Sequence, residues 1–192
     1  MNIELWKKTD SLIAQGKLEE AIRDLESNLA SCKSDKFKSL IGSDFANDPT
    51  MIAEKINDFI SSCERDFEVR SIYLEMNGFD INPDRWYFDF FAYDTYEEDK
   101  EDLDWLSDWD SENWPDITLE GLEEIQNDFD WYCNNSGYND VLAEEAKEYA
   151  VLLVMCKFAK LIGKVVAIGK IIKEIPILAT AHEFDIIPRF IA

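Results

Sequence analysis

Two stretches of the sequence, VRSIYLEM at 69–76 and RWYFDFFAY at 85–93, decide the fold class because both alternate with a period of two. A β-strand points successive side chains to opposite faces, so this period predicts two strands. The side chains on the more apolar face are Ile72, Leu74, Met76, Trp86, Phe88, Phe90 and Ala92. Those on the opposite face are Ser71, Tyr73, Glu75, Arg85, Tyr87, Asp89, Phe91 and Tyr93. The linking segment NGFDINPD is rich in turn residues, which favours a hairpin.

A third alternating stretch, DLDWLSDWD at 102–110, places tryptophan and aspartate in turn. We interpret it as a strand over 102–109 whose aromatic face carries Trp105 and Trp109. The other face of this predicted strand consists of Asp102, Asp104, Leu106, Asp108 and Asp110. A helix would scatter both residue types around its axis, so the pattern favours the strand.

The first 68 residues have the spacing of helices. Apolar residues recur at helical intervals over 3–14 and 18–29, and a third helix is predicted after Asp48 and Pro49. The segment GKLEEAIRDLESNLA is similar to the second half of a tetratricopeptide repeat, but no second copy follows at about 34 residues. The favoured interpretation is a helical hairpin docked on the main domain, and the alternative is a helical-repeat adaptor.

The last third predicts two helices and a strand. One helix is expected from an N-cap at Thr118 to near Tyr132, and a long one from about 140 to 162 or beyond. The basic stripe on the long helix consists of Lys157, Lys160 and Lys164. We expect a solvated edge there; the alternative is that the stripe meets acids of the middle third or of another subunit. A strand is predicted over 175–180.

These patterns predict the α+β class. We expect N-terminal helices, a three- to five-stranded, mostly antiparallel sheet, and C-terminal helices packed on the sheet. The expected organisation is a helical segment at 1–68 and an α+β core at 69–192, within one compact unit.

The chain is strongly acidic, with 41 acidic residues against 19 basic ones and a net charge of −22. Residues 75–140 hold 21 of the acids and two bases, so this middle third alone carries −19. Such charge repels nucleic acids and anionic membranes and attracts basic proteins. The sequence therefore predicts a basic protein partner and argues against nucleic-acid and membrane partners.

No catalytic or cofactor motif is recognisable. His182, the one histidine, has neither a GxSxG nor a papain-like cysteine context, and the glycine motifs of nucleotide sites are missing. Acids at 108–120 faintly resemble a calcium loop, but Asn113 stands where glycine is needed and Glu120 falls one residue late. We expect no cofactor, no metal site and no catalytic turnover. The enzymatic alternative is a metal-dependent enzyme built on clustered carboxylates.

The expected location is the cytoplasm. The N-terminal segment MNIELWKKTD has no apolar signal-peptide core, and the most apolar stretch, near 149–172, is interrupted by lysines.

The acidic and aromatic stretch of the middle third is the candidate binding site. The predicted partner-binding residues are Tyr93, Asp102, Asp104, Asp108, Trp109, Asp110 and Trp114. Repulsion among these aspartates would be relieved when a basic partner docks, and the aromatic side chains would serve as anchors. The alternative is that the aspartates only keep an edge strand soluble.

In its size, its acidity and the stretch from WYFDFFAY to DLDWLSDW, the sequence resembles the small acidic immunity proteins of bacteria. Those proteins neutralise nuclease toxins of contact-dependent and other polymorphic toxin systems. Such immunity families are unrelated in fold to one another, so the resemblance implies a role, the neutralisation of a basic toxin, and carries over no site.

Overall fold

Five α-helices and five strands form the regular structure in a computed structural model that describes residues 2–78, 82–99, 103–134 and 137–192. The helices are α1 (Ile3–Ala14), α2 (Leu18–Ser31), α3 (Pro49–Cys63), α4 (Glu123–Asn134) and α5 (Val141–Ala167). The strands are β1 (Ser71–Met76), β2 (Tyr87–Tyr93), β3 (Asp116–Thr118), β4 (Pro176–Ala181) and β5 (Arg189–Ile191). Single turns of 3₁₀ helix lie at Lys38–Leu40, Asp104–Ser107 and Gly137–Asn139.

The strands form one mixed sheet in the order β3-β2-β1-β4-β5. β1 pairs antiparallel with β2 and parallel with β4, while the outer strands β3 and β5 pair antiparallel with β2 and β4. Three of the four pairings are therefore antiparallel. This arrangement confirms the predicted α+β class, the hairpin of β1 and β2, and the C-terminal strand.

The first face of the sheet is covered by helices. Phe90 of β2 meets Phe59 of α3 with ring centroids 5.7 Å apart, and Phe88 meets Phe158 of α5 at 5.2 Å. The apolar face predicted from the period of two is buried here. One continuous cluster of buried side chains extends from Leu5 to Ile186, so the N-terminal helices and the sheet share a core.

The lysines of α5 contact acids of the first third of the chain. Lys157 is only 2% exposed, and its ammonium donates to Glu26 Oε1 at 2.8 Å and to the Ser43 carbonyl. Lys160 lies 2.9 Å from Asp44 Oδ2. The expectation of a solvated lysine edge is therefore wrong for Lys157 and Lys160, because α2 and the segment before α3 bring carboxylates to α5, while Lys164 is 48% exposed. The alternative, that the lysines meet acids of the middle third, is also wrong, because their partners lie in the first third of the chain.

The helix ends follow local capping chemistry. Asp48 caps α3 by accepting from the Thr50 N–H at 2.8 Å, and Asp140 caps α5. The predicted cap at Thr118 is wrong, because Thr118 ends β3 and α4 begins at Glu123. Between them Gly121 has a φ of 98°, and a Cβ there would lie 2.8 Å from Ala46 Cβ, so this turn requires glycine.

The predicted strand over 102–109 is also wrong. Asp104–Ser107 is a 3₁₀ turn, and the strand that pairs with the free edge of β2 is β3. Burial does not follow the alternation either, because Trp109 is exposed, whereas Leu106 of the predicted acidic face packs beside Trp105 on buried side chains of the sheet. Asp102 lies outside the described residues.

Across the described parts of the chain, none of the helices combines the length and the apolarity that crossing a lipid bilayer demands.

Candidate functional site

The second face of the sheet is covered by residues 94–99 and 103–110, which we call the strap. A separate buried cluster lies beneath it and consists of Tyr73, Phe91, Tyr93 and Leu178. Trp105 of the strap packs edge to face on Tyr93, with ring centroids 4.9 Å apart. The strap thus replaces the helices that cover the first face, and its apolar side chains are used for this packing.

Arg189 of β5 fastens the strap through its backbone. Its guanidinium donates to the carbonyls of Glu97, Glu98 and Asp99 at distances of 3.1, 3.0 and 3.2 Å. It also lies 5.7 Å from the ring centroid of Tyr96. Because the arginine binds carbonyls, the carboxylates of Glu97 and Glu98 are exposed rather than neutralised at this anchor.

Tyr93 must be corrected among the predicted partner-binding residues. Its side chain is 0% exposed, and its hydroxyl donates to the Leu106 carbonyl at 2.8 Å. Burial, and then the carboxylates of Glu75 and Asp110, raise the pKa of this phenol. Tyr93 therefore holds the strap on the sheet and offers no surface to a partner.

The other described members of the predicted set lie at the surface. Asp104, Asp108 and Asp110 are exposed, while Trp109 and Trp114 are 41% and 53% exposed. Asp110 is fixed in place, since its backbone N–H donates to the Ala92 carbonyl at 2.9 Å. Asp102 lies outside the described residues, so its place in the set stays a prediction.

A series of aromatic rings connects the buried cluster to this surface. Phe91 stacks on Tyr73 at 6.0 Å and contacts Trp109 at 4.9 Å, and Trp109 in turn meets Trp114 at 6.0 Å. The two exposed tryptophans are therefore supported by packing against other aromatic rings. Such rings offer a large contact area with little conformational entropy to lose.

A row of carboxylates crosses the uncovered end of the second face. Asp116 is the direct partner of Asp89 across β3 and β2, and Asp89 is the partner of Glu75 across β2 and β1. Partial burial, followed by repulsion from Asp116 and Glu75, raises the pKa of Asp89 to about 6. The Arg85 guanidinium pairs with Asp116, and His182 Nδ1 lies 2.5 Å from Glu75 Oε1.

The sequence placed Glu75 and Asp89 on one face but did not place Asp116 beside them. The strand β3 has only three residues, DIT, which is too short for a period to be recognised. The available signal was the pair Ile117 and Thr118, both β-branched, which begins two residues after Pro115.

In chemical terms the arrangement offers negative charge and exposed aromatic rings. Among the described residues, no group of three or more histidine, cysteine and acidic side chains is arranged to hold a metal ion. A scan against protein-family models and searches of curated proteins and of solved structures found no match to this chain. The functional argument therefore rests on the surface itself.

Proposed function

We propose that this chain is an acidic binding protein for a basic protein partner, and that it acts as an immunity protein against a basic, nuclease-type toxin. The observation that carries the proposal is the joint exposure of Trp109 and Trp114 beside Asp104, Asp108 and Asp110. In this proposal the protein acts in the cytoplasm by binding alone, without a cofactor or turnover.

The physical basis is charge repulsion that a partner relieves. The middle third carries 21 acids and two bases, so its negative charge is far from balanced within the segment. At one position, Asp89, partial burial and then repulsion from neighbouring carboxylates raise the pKa to about 6. A basic surface that docks here gains attraction to the acids and buries the tryptophans, which supplies both fast association and slow dissociation.

The test is to produce the chain together with the protein encoded by its neighbouring gene and to compare it with the Asp104→Lys, Asp108→Lys double variant. We expect the variant to associate about tenfold or more slowly at low salt, because electrostatic steering is reversed. The advantage of the unchanged chain should largely vanish near 1 M salt, where the Debye length is about 3 Å. Stopped-flow association rates and protection of cells from the toxin are the two readouts.

A matched control carries the same charge change elsewhere. Asp10 and Glu174 are exposed and lie outside the middle third, so the Asp10→Lys, Glu174→Lys variant should keep most of its association rate. Equal rates and equal protection for both folded double variants would contradict the proposal and leave the aspartates with a solubilising role.

A further inference from the structure

A groove lies between the C-terminal half of α3 and the loop at 110–115, with a volume of about 600 Å³. This volume is within the range of about 300–1,000 Å³ that is typical of ligand sites. Phe59 and Cys63 of α3 are its buried lining residues, and Trp114 and Pro115 belong to the loop side. Trp114 therefore takes part both in this groove and in the aromatic series that supports Trp109.

The loop side of the groove is fixed to the sheet. The Pro115 carbonyl accepts from the Phe90 N–H at 3.2 Å, and the Ala92 N–H donates to Ser111 Oγ at 3.3 Å. Phe90 also packs against Phe59, so one residue of β2 supports both sides. A ligand would meet a groove that needs little ordering, which favours affinity.

The groove combines aromatic and negative side chains. Phe67 is half-buried and Trp114 half-exposed, so their rings are accessible in the groove. The carboxylates that line it are Asp58, Asp66, Asp110 and Glu112. The lining also contains one base, Lys55, so the groove carries a net charge of −3. Burial, and secondly the Asp66 carboxylate, raise the pKa of the Cys63 thiol to about 11, so the groove's buried thiol is neutral.

We propose that this groove receives an arginine side chain from an exposed segment of a basic protein partner. The inference rests on the proposed function, because it names the part of the partner that the acidic surface recognises. The guanidinium stacks on the Trp114 ring and is bound by the carboxylates that surround it.

Arginine fits this lining better than lysine for physical reasons. A guanidinium is planar, stacks on aromatic rings and is more weakly hydrated than an ammonium. It also presents donors in several directions, which suits carboxylates such as Asp66 and Asp110 that come from opposite sides of the groove. An uncharged apolar occupant would take water from those carboxylates without offering them a cation, so charge complementarity selects the cation.

The experiment titrates the full chain, labelled with ¹⁵N, with the blocked peptide Gly-Arg-Gly and follows the Trp114 indole N–H by NMR. Comparison peptides replace arginine with lysine or with uncharged citrulline. We expect arginine to bind about threefold to tenfold more tightly than lysine, and citrulline to give no saturable shift. No toxin is needed, so the groove is tested separately from the proposed function.

Variants locate the site and matched controls define the effect. Trp114→Leu should weaken arginine binding about tenfold, and Asp66→Asn about threefold. The controls are Tyr138→Leu, another exposed aromatic residue, and Glu54→Gln, an exposed acid of α3 that does not line the groove; both should bind as the unchanged chain does. In a second arm, Trp114→Leu should speed dissociation of the basic partner.

Each result decides between the two proposals. Equal shifts with arginine and citrulline, shifts centred on the Asp89 face, or a dimer that covers the groove would overturn the groove proposal. If the basic partner binds but ignores both Trp114→Leu and competing Gly-Arg-Gly, the groove proposal fails and the proposed function stands. If Gly-Arg-Gly binds as expected but the chain protects against no basic partner, the groove stands and the proposed function fails.

Discussion

Carboxylates at the interface of α2 and α5 differ sharply from those on the second face of the sheet. At the interface, burial alone would raise the pKa of Glu26, but hydrogen bonds from Lys157 and from the Gly42 N–H outweigh it and the pKa is lowered. On the second face, burial acts on Asp89 together with Asp116 and Glu75, and its pKa rises to about 6. The same chemical group is thus stabilised in its charged form in one region and destabilised in the other.

This difference indicates which acids support the fold and which are available for another role. Glu26 and Asp44 contact lysines of α5, so their charges contribute to helix packing. Ionised Asp89 costs the folded state free energy, because burial and the carboxylates of Asp116 and Glu75 outweigh the attraction of Arg85. Residues that lower stability in this way are common at functional sites, which supports the proposal that a partner binds at this acidic surface.

The largest expected effect removes the central cation of the paired region. Lys157→Ala should lower the free energy of unfolding by about 3 kcal/mol, because Glu26 and the Ser43 carbonyl lose a buried partner. Lys164→Ala is the matched control, since that lysine lies on the same helix but its side chain is 48% exposed. It should cost about 1 kcal/mol or less. Urea unfolding of both variants checks this, and equal losses would show that the network does not depend on burial.

The sequence was sufficient for the parts of the fold that have a clear period. The strands β1 and β2 follow from alternation, α3 from helical spacing and the start signal at Asp48 and Pro49, and α5 from helical spacing alone. The sequence at 102–110 also alternates, yet its described part, residues 103–110, forms no strand, because the edge of β2 is already paired with β3 and held by the 110–115 loop. In β1 and β2 the period identifies the side chains that face the core, but a period alone does not report which backbone segments pair with one another.

The candidate site was predicted in composition and only partly in geometry. Exposed Trp109 and Trp114 lie in the stretch that the sequence marked, whereas Tyr93 is buried beneath the strap. Its burial depends on Trp105 and Leu106 returning to the sheet, a long-range contact with no local signature. The partners of Lys157 were missed for the same reason, since Glu26 lies 131 residues away in the chain.

An intermediate effect is expected from neutralising the repelled carboxylate. The pKa of Asp89 in the folded state, about 6, lies above its ordinary value of 3.8, so folded protein retains a proton that the unfolded chain loses. Stability from this group therefore falls as the pH rises from about 4 to about 6 and stays low above that window. Asp89→Asn should raise the free energy of unfolding near pH 8 by about 1 kcal/mol, after allowance for solvent screening.

The gain from Asp89→Asn should fade toward about pH 4, where the carboxyl is protonated in both states. Asp108→Asn, measured in parallel, accounts for the general effect of removing one negative charge from the same region. Denaturant unfolding at several pH values gives both curves. A loss of stability near pH 8 for Asp89→Asn would show that Asp89 is a stabilising hydrogen-bond partner, and the contrast between the two regions would fail.

The smallest expected effect concerns acids of the exposed surface, and it tests the comparison most directly. Asp108 and Glu112 are exposed, and neither pairs with a base among the residues that the structure describes. The Asp108→Asn, Glu112→Gln variant changes the net charge from −22 to −20, and it should raise the free energy of unfolding by about 0.5 kcal/mol or less. Added salt, which screens the same repulsion, should reduce even this difference.

The matched variant Glu26→Gln, Asp44→Asn removes two charges as well, yet it should destabilise the protein by about 2 kcal/mol because Lys157 and Lys160 lose their partners. Opposite signs in urea unfolding would show that local pairing decides the role of each acid, whereas equal shifts would mean that net charge alone governs stability.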